Sequence, residues 1–191
     1  SVLMRYPARG PRRERTTLCI SSQAGCAVGC PFCATGELGL WRDLRTSEII
    51  DQARYWRNEL AAEGRRLTNI VFMGMGEPLD NLEEVLKSLT ILTSDWGFAL
   101  SPRRITVSTI GITPAMLEFL NNSQAHLAIS LHSPFDEERR KLMPIQQVYP
   151  LKEVLSEIRS WDFGRQRRVS FEYILFRNFN DSPAHVNELA R

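Results

Sequence analysis

Three cysteines stand in one short segment, GCAVGCPFCATG, as Cys26, Cys30 and Cys33, spaced C-x3-C-x2-C. Three thiolates this close in one loop can hold three irons of a cubane 4Fe-4S cluster and leave the fourth iron without a protein ligand. Such an open iron is of little use for storing electrons, but it can chelate a substrate and pass it one electron. Phe32, just before the last cysteine, belongs to the same pattern. The competing chemistry is structural zinc, because Cys19 lies seven residues upstream and raises the thiolate count to four. Zinc sites usually pair two short knuckles, whereas here three cysteines crowd together and the fourth stands apart. A disulfide framework fits less well still, since four cysteines in 191 residues are too sparse for a stapled secreted domain.

The rest of the chain must position this loop. Its 43% apolar content supports one sizeable core. No apolar run approaches the ~20 residues of a membrane-spanning helix. The first fifteen residues are basic but lack the apolar stretch of a secretory signal. Strand-like and helix-like patterns alternate. Strands are predicted over residues 16–20, 69–73, 105–108, 126–130 and 169–175. Helices are predicted over residues 47–60 with Thr46 as cap, from Asn81 with Glu84 completing a capping box, from Thr113-Pro114, from Pro150 through Trp161, and from Ser182-Pro183. Five repeats of strand then helix define an α/β chain, a parallel sheet with helices on its outer face, of the kind that forms a barrel or part-barrel. Chemistry in such folds gathers at the carboxyl ends of the strands.

The loops at that end carry the remaining candidates. MGMGEP follows the second strand, where glycines let backbone approach a ligand and Glu77 can accept hydrogen bonds from an ammonium group. Ser108 ends the third strand, and Ser130, Leu131 and His132 end the fourth. Taken singly, each reads as an ordinary strand-to-helix connection, and His132 as a packed or capping histidine. Cys19, in an apolar strand, reads by itself as a small buried packing residue. The net charge of +2 neither demands nor excludes nucleic acid. Arginines cluster at Arg5, Arg9, Arg12, Arg13 and Arg15; further groups are Arg139, Arg140 and Lys141, and Arg165, Arg167 and Arg168. Such groups could neutralise RNA phosphates. Acidic residues interleave with the latter two, which read as solvated surface, so only the amino-terminal group points to RNA unaided.

The cysteine triplet with PFC resembles the radical S-adenosylmethionine (SAM) enzymes. TTLCISSQAGCAVGCPFCATG, VFMGMGEPLDN, ITVSTIG, AISLHSP and FEYILF, in that order, resemble the RlmN/Cfr family of radical SAM RNA methyltransferases over nearly the whole chain. The resemblance implies a partial (β/α) barrel of the radical SAM type with five β/α units present and the last helix cut short. Residues 1–14 are then a basic amino-terminal arm, and residues 15–191 the radical SAM core. It implies a 4Fe-4S cluster on Cys26, Cys30 and Cys33. SAM is held by Gly76 and Glu77 at its amino group and lined by Ser108, Ser130, Leu131 and His132. Cys19 becomes the resolving cysteine that acts as base.

The implied reaction is methylation of carbon 2 of an adenosine in 23S rRNA and in certain tRNAs. That carbon has no lone pair with which to attack the methyl of SAM. In the family's chemistry a first SAM methylates a cysteine of the enzyme. A 5'-deoxyadenosyl radical from a second SAM takes hydrogen from the methyl group, and the carbon radical adds to the ring. The resolving cysteine then deprotonates the ring carbon, and a disulfide forms as the adduct breaks. The implied setting is the cytoplasm, with a flavodoxin-like one-electron donor and a monomer at full length. The methyl-carrying cysteine of the family lies beyond the last β/α unit, and no cysteine follows Cys33. The chain is therefore expected to be an internal piece of a longer enzyme and inactive alone. The alternatives are a Cfr-type carbon 8 methyltransferase, another radical SAM enzyme such as an activase, and a non-catalytic RNA-binding module holding zinc or a cluster.

Replacing any one of Cys26, Cys30 or Cys33 by Ala is expected to abolish iron binding, because two thiolates cannot hold the cubane. Anaerobic reconstitution checks this, with about four irons and four sulfides expected per parent chain. Cys19→Ala should retain iron near the parent level; a fall equal to that of Cys26→Ala would make Cys19 a metal ligand.

Overall fold

The computed structural model describes residues 1–11, 13–163 and 168–191. In chain order the strands are β1 (Val2–Tyr6), β2 (Arg15–Ile20), β3 (Gln23–Gly25), β4 (Leu40–Asp43), β5 (Asn69–Phe72), β6 (Ile105–Thr109), β7 (His126–Ser130) and β8 (Val169–Glu172). The helices are α1 (Ala34–Glu37), α2 (Thr46–Ala62), α3 (Leu82–Thr93), α4 (Thr113–Asn122), α5 (Asp136–Leu142), α6 (Leu151–Ser160) and α7 (Pro183–Leu189). One sheet runs β1-β2-β5-β6-β7-β8. The five strands from β2 to β8 are parallel, and β1 lies antiparallel on β2. The predicted strand–helix alternation is thus present. The edge strand β1, drawn from the basic arm, is an addition that the sequence reading did not single out.

Strand alternation explains the core. Leu18, Ile20, Ile70, Phe72, Ile105, Val107, Leu127 and Ile129 belong to one buried apolar cluster. The helices meet them with Ile49 and Ala53 from α2, Val85, Leu89 and Leu92 from α3, Met116 and Phe119 from α4, and Val154 from α6. Each such side chain, fully buried, stabilises the fold by roughly 1.5–3 kcal/mol before its ordering entropy is counted. Among the described residues no helix is long and apolar enough to cross a membrane.

Several local expectations are corrected. Thr46 is the first helical residue of α2 and Arg45 precedes it as cap, its amide donating to Glu48 Oε2 at 2.9 Å. Asn81 and Glu84 form no capping box. Instead Glu84 Oε2 accepts from the Thr46 amide at 2.5 Å and the Thr46 hydroxyl at 2.6 Å, capping the neighbouring helix. Asn81 is buried and donates from Nδ2 to the carbonyls of Ser22 and Leu44, both at 2.8 Å. The fifth parallel strand stops at Glu172 rather than running to Leu175. Beyond it the chain turns onto Asn180, which accepts from the Phe176 amide and donates to the carbonyls of His132 and Ile174. Arg139 is not solvated surface: helical spacing puts it on the inner face of α5 with Leu142, and it is 0% exposed. Arg12, Arg165 and Arg167 lie outside the described residues.

Asn81→Ala would take its donor from the Leu44 carbonyl and leave the Ser22 carbonyl with the Leu44 amide alone. A loss of about 2–3 kcal/mol is expected from chemical denaturation. A loss below about 0.5 kcal/mol would show that this amide is not what joins the loops.

Candidate cofactor and catalytic site

The cysteine loop hangs from a hairpin. β3 and β4 pair antiparallel, and the Cys26 amide donates to the Gly39 carbonyl at 3.0 Å, closing the neck of the loop. Gly25 has φ +89°, and a Cβ there would meet the Gly39 oxygen at 1.9 Å, so only glycine allows the two chains to approach. Inside the loop the Cys33 amide donates to the Cys30 carbonyl at 3.0 Å, and α1 starts directly after Cys33. All four cysteines are free thiols.

One cavity of about 460 Å³ gathers most of the predicted residues at the carboxyl ends of the parallel strands. Cys26, Cys30 and Cys33 line it on one side, and Gly76, Glu77, Ser108, Ser130 and His132 on the others. Leu131 does not share it; its side chain borders a separate groove beneath α6 and α7. Burial pushes the Cys26 thiol up, and pushes Cys30 up to about 12, with the neighbouring cysteines adding to the Cys30 shift. Iron ligation must therefore displace protons from these thiols, which makes loading pH-dependent. Among the described residues no three His, Cys, Asp or Glu side chains converge as a grip for one metal ion. A cubane places each thiolate on its own iron at a separate corner, so the donor set fits it without convergence. A four-thiolate zinc site is not assembled, because Cys19 is not among the residues lining the cavity.

The GMGEP turn is fixed by the SSQ segment. The Met75 amide donates to Ser21 Oγ at 3.0 Å, and the amides of Ser22 and Gln23 donate to the Met75 carbonyl. Gln23 is 1% exposed; its Oε1 accepts from the Glu77 amide at 2.9 Å, and its Nε2 donates to Asp43 at 2.8 Å and Asp80 at 3.1 Å. Gly76 has φ +99°, and a Cβ there would lie 2.5 Å from the Gln23 side chain. The Glu77 carboxylate is buried and accepts from the amides of Leu79 and Ile110, each at 3.0 Å. It thus ties this turn to the end of β6. Burial pushes Glu77 up to about 7, against the Thr109 hydroxyl and the Ile110 and Leu79 amides, which favour its ionised form.

The other walls are equally anchored. Ser108 Oγ donates to Glu172 Oε2 at 2.8 Å, and both residues line the cavity. His132 sits at φ +57°, its Nδ1 accepts from the Ile174 amide at 3.2 Å, and Phe32 meets its ring edge-on at 5.2 Å between centroids. Burial, then the charge of Arg139, holds its pKa down at about 4, so the ring is neutral at pH 7 with its proton on Nε2. Cys19 lies in β2 between Val2 and Val71. Alternation turns it to the face opposite Leu18 and Ile20. The Met73 amide donates to its sulfur, and Met73 lines the cavity, so Cys19 lies immediately behind the wall. Burial outweighs that bond and raises the Cys19 pKa. Sequence reasoning missed Gln23, Asn180 and Glu172. Only Glu172 left a signal, a lone carboxylate within the strand-like run VSFEYILF.

A parallel β/α sheet with a three-thiol loop over its carboxyl end is the radical SAM arrangement, and residues 20–190 match the radical SAM superfamily. The chain belongs to that superfamily. It is 51% identical over 180 residues to a probable dual-specificity RNA methyltransferase RlmN of Parabacteroides distasonis, covering 94% of this chain and 51% of that protein. It is 48% identical over 188 residues to the dual-specificity RNA methyltransferase RlmN of Desulfotalea psychrophila, covering 95% and 52%. The crystal structure of a radical SAM methyltransferase from Sphaerobacter thermophilus superposes with a TM-score of 0.91 at 44% identity, over 99% of this chain and 54% of that one. Streptococcus suis SuiB, at 18% identity and a TM-score of 0.59, shares the fold. The chain spans about half the length of the curated relatives it matches.

The Glu77 carboxyl has a folded value of about 7 against an ordinary 4.5. A raised folded value contributes stability that is present in full below about pH 4.5 and is lost as pH rises through about 7. Relative to Glu77→Gln, the parent chain should lose about 3 kcal/mol of unfolding free energy between pH 4.5 and 8. Denaturant titrations of both proteins check this, and parallel pH curves would refute it.

Proposed function

We propose that this chain is the SAM- and cluster-binding core of a radical SAM RNA methyltransferase. The full reading is methylation of carbon 2 of an adenosine in 23S rRNA and in certain tRNAs through a methyl-cysteine intermediate. The observation that carries it is the single cavity shared by three free thiols, the GMGEP turn, Ser108, Ser130 and His132. Similarity to proteins named as dual-specificity RNA methyltransferases supports the RNA substrate.

When bound, the cluster and SAM supply a one-electron route to a carbon-centred radical. The chain's own residues hold and shield the reactants. Gly76 lets backbone come close to the SAM amino group, while Glu77 fixes the turn against β6 and adds negative potential beneath an ammonium. Ser108, oriented by Glu172, and neutral His132, with its Nε2 proton, provide hydrogen-bonding groups on the remaining walls. Cys19 takes the proton from the ring carbon, and the surplus electron of the adduct leaves to the one-electron partner. The Cys19 sulfur then displaces the sulfur of the methyl-carrying cysteine, breaking its bond to carbon, and the released carbon takes a proton to become the methyl group. The Met73 amide favours the thiolate this step needs, while burial, the larger effect, holds the resting Cys19 as a thiol. Cys26, Cys30 and Cys33 serve iron, so the methyl-carrying cysteine is expected outside residues 1–191.

A second surface suits the RNA partner. Arg5, Arg9, Arg13, Arg15, Arg66 and Arg104 line a cleft of about 980 Å³ at the amino ends of β2, β5 and β6, the pole opposite the thiols. Arg5 is paired with Glu63 and Arg15 lies over the Tyr6 ring, which leaves a surplus of positive charge for phosphates. In this reading the enzyme works in the cytoplasm with an external one-electron donor.

The test uses a full-length protein containing this chain, incubated anaerobically with labelled SAM, reductant and protein-free 23S rRNA fragment. The expected product is 2-methyladenosine, and Cys19→Ala should accumulate enzyme covalently attached to RNA with iron content unchanged. Label appearing as 8-methyladenosine would move the site of methylation, and RNA free of label would sink the reading.

A further inference from the structure

Arg139 is 0% exposed and lies behind Ile110 and Ser130, two residues that line the thiol cavity. Its Nη1 donates to Gln146 Oε1, and its Nη2 donates to the carbonyls of Ile110 at 2.9 Å and Ser130 at 3.1 Å. Its Nε is buried without a hydrogen-bond partner among the described residues. Every acceptor it uses is neutral. The nearby carboxylate of Asp136 is engaged instead by Gln146 Nε2 at 2.7 Å, one amide removed from the guanidinium. Burial lowers the Arg139 pKa to about 10, so the group still carries its charge at neutral pH.

A buried cation without a directly bonded anion is costly, by several kcal/mol in general. Such a group persists where a counter-charge arrives from elsewhere. Two residues whose carbonyls Arg139 holds, Ile110 and Ser130, line the thiol cavity, and its charge is felt at Cys30 and at His132. The anion in that direction is the thiolate set. Three thiolates outweigh the two positive charges of an oxidised cubane, and one added electron makes the site more negative still. A fixed positive charge behind the wall therefore favours the reduced cluster over the oxidised one.

We propose that Arg139 is the buried counter-charge of the cluster site, setting its reduction potential while positioning the Ile110 and Ser130 carbonyls. This rests on the cluster reading of Cys26, Cys30 and Cys33. Gln146 is the insulator in the arrangement: it passes the influence of Asp136 to the guanidinium while keeping that carboxylate from neutralising it. The electron itself comes from an external one-electron reductant, and Arg139 takes no part in the transfer.

The experiment is an anaerobic redox titration of the reconstituted chain, followed by the electron paramagnetic resonance signal of the reduced cluster. Arg139→Gln removes the charge, Arg139→Lys keeps it, and Gln146→Glu with Asp136→Asn brings a carboxylate onto Arg139 without vacating its place. Arg139→Gln and the paired variant should each show at least a tenfold smaller reduced-to-oxidised ratio at the parent's midpoint, equivalent to 59 mV for one electron. Arg139→Lys should stay near the parent. Equal midpoints for the parent and the paired variant overturn the proposal, as does an equal shift in Arg139→Lys and Arg139→Gln. Should Arg139→Gln fail to fold or load, the paired variant decides. A parent chain that takes up no iron overturns the cluster reading itself, and is told apart by its iron and sulfide content before any titration.

Discussion

The side-chain amide of Gln23 is the fastening on which the rest of the site depends. Three segments follow the carboxyl ends of β2, β5 and β6, and beyond the short β3–β4 hairpin none has regular hydrogen bonding to hold it. Gln23 binds the Glu77 amide, Asp43 and Asp80 at once, and Glu77 in turn grips the Ile110 amide. Asn81 completes the knot from below through the carbonyls of Ser22 and Leu44. A buried network of this kind is favourable only when every member is satisfied, which explains why so many polar side chains sit at 1–6% exposure around one cavity. The apolar sheet sets where the strands end, and the amide network sets how the loops stand on those ends.

Burial works in two opposed senses around the cavity. It raises Cys26 and Cys30, keeping both protonated until iron takes them, and it holds His132 neutral. Arg139 opposes the first effect at Cys30 and reinforces the second. The apolar residues Val28, Phe32, Ile110 and Met143 around the loop keep these effects strong, since charges act over longer reach where water is excluded.

What the sequence made legible followed from two kinds of pattern. Period-two and period-3.6 apolar spacing located β2, β5, β6, β7 and their following helices, because those elements bury one face and little else constrains them. The cysteine triplet and GMGEP were legible because their chemistry is local, contained within a few consecutive residues. Polar partners distant in sequence were not. Asn81 and Glu84 carry the spacing of a capping box, yet tertiary contacts with Ser22, Leu44 and Thr46 claimed both side chains. Arg139 sat in a run of three cations, and only the phase of a seven-residue helix separates it from its solvated neighbours. The shortening of β8 likewise depends on Asn180, in a loop whose own sequence gives no sign of a buried amide.

The glycine neck of the thiol loop has a consequence for how the holoprotein is assembled. Bringing together the ends of a flexible segment of this length costs conformational entropy that grows with its length, and a cluster would ordinarily bear that cost on binding. Here Gly25 and Gly39 hold the two ends in contact through the β3–β4 hairpin. The cluster therefore has only to order the interior of an already closed ring. Iron insertion can then be a late, local event on a folded sheet, and its loss under oxygen would leave that sheet standing and ready to be refilled.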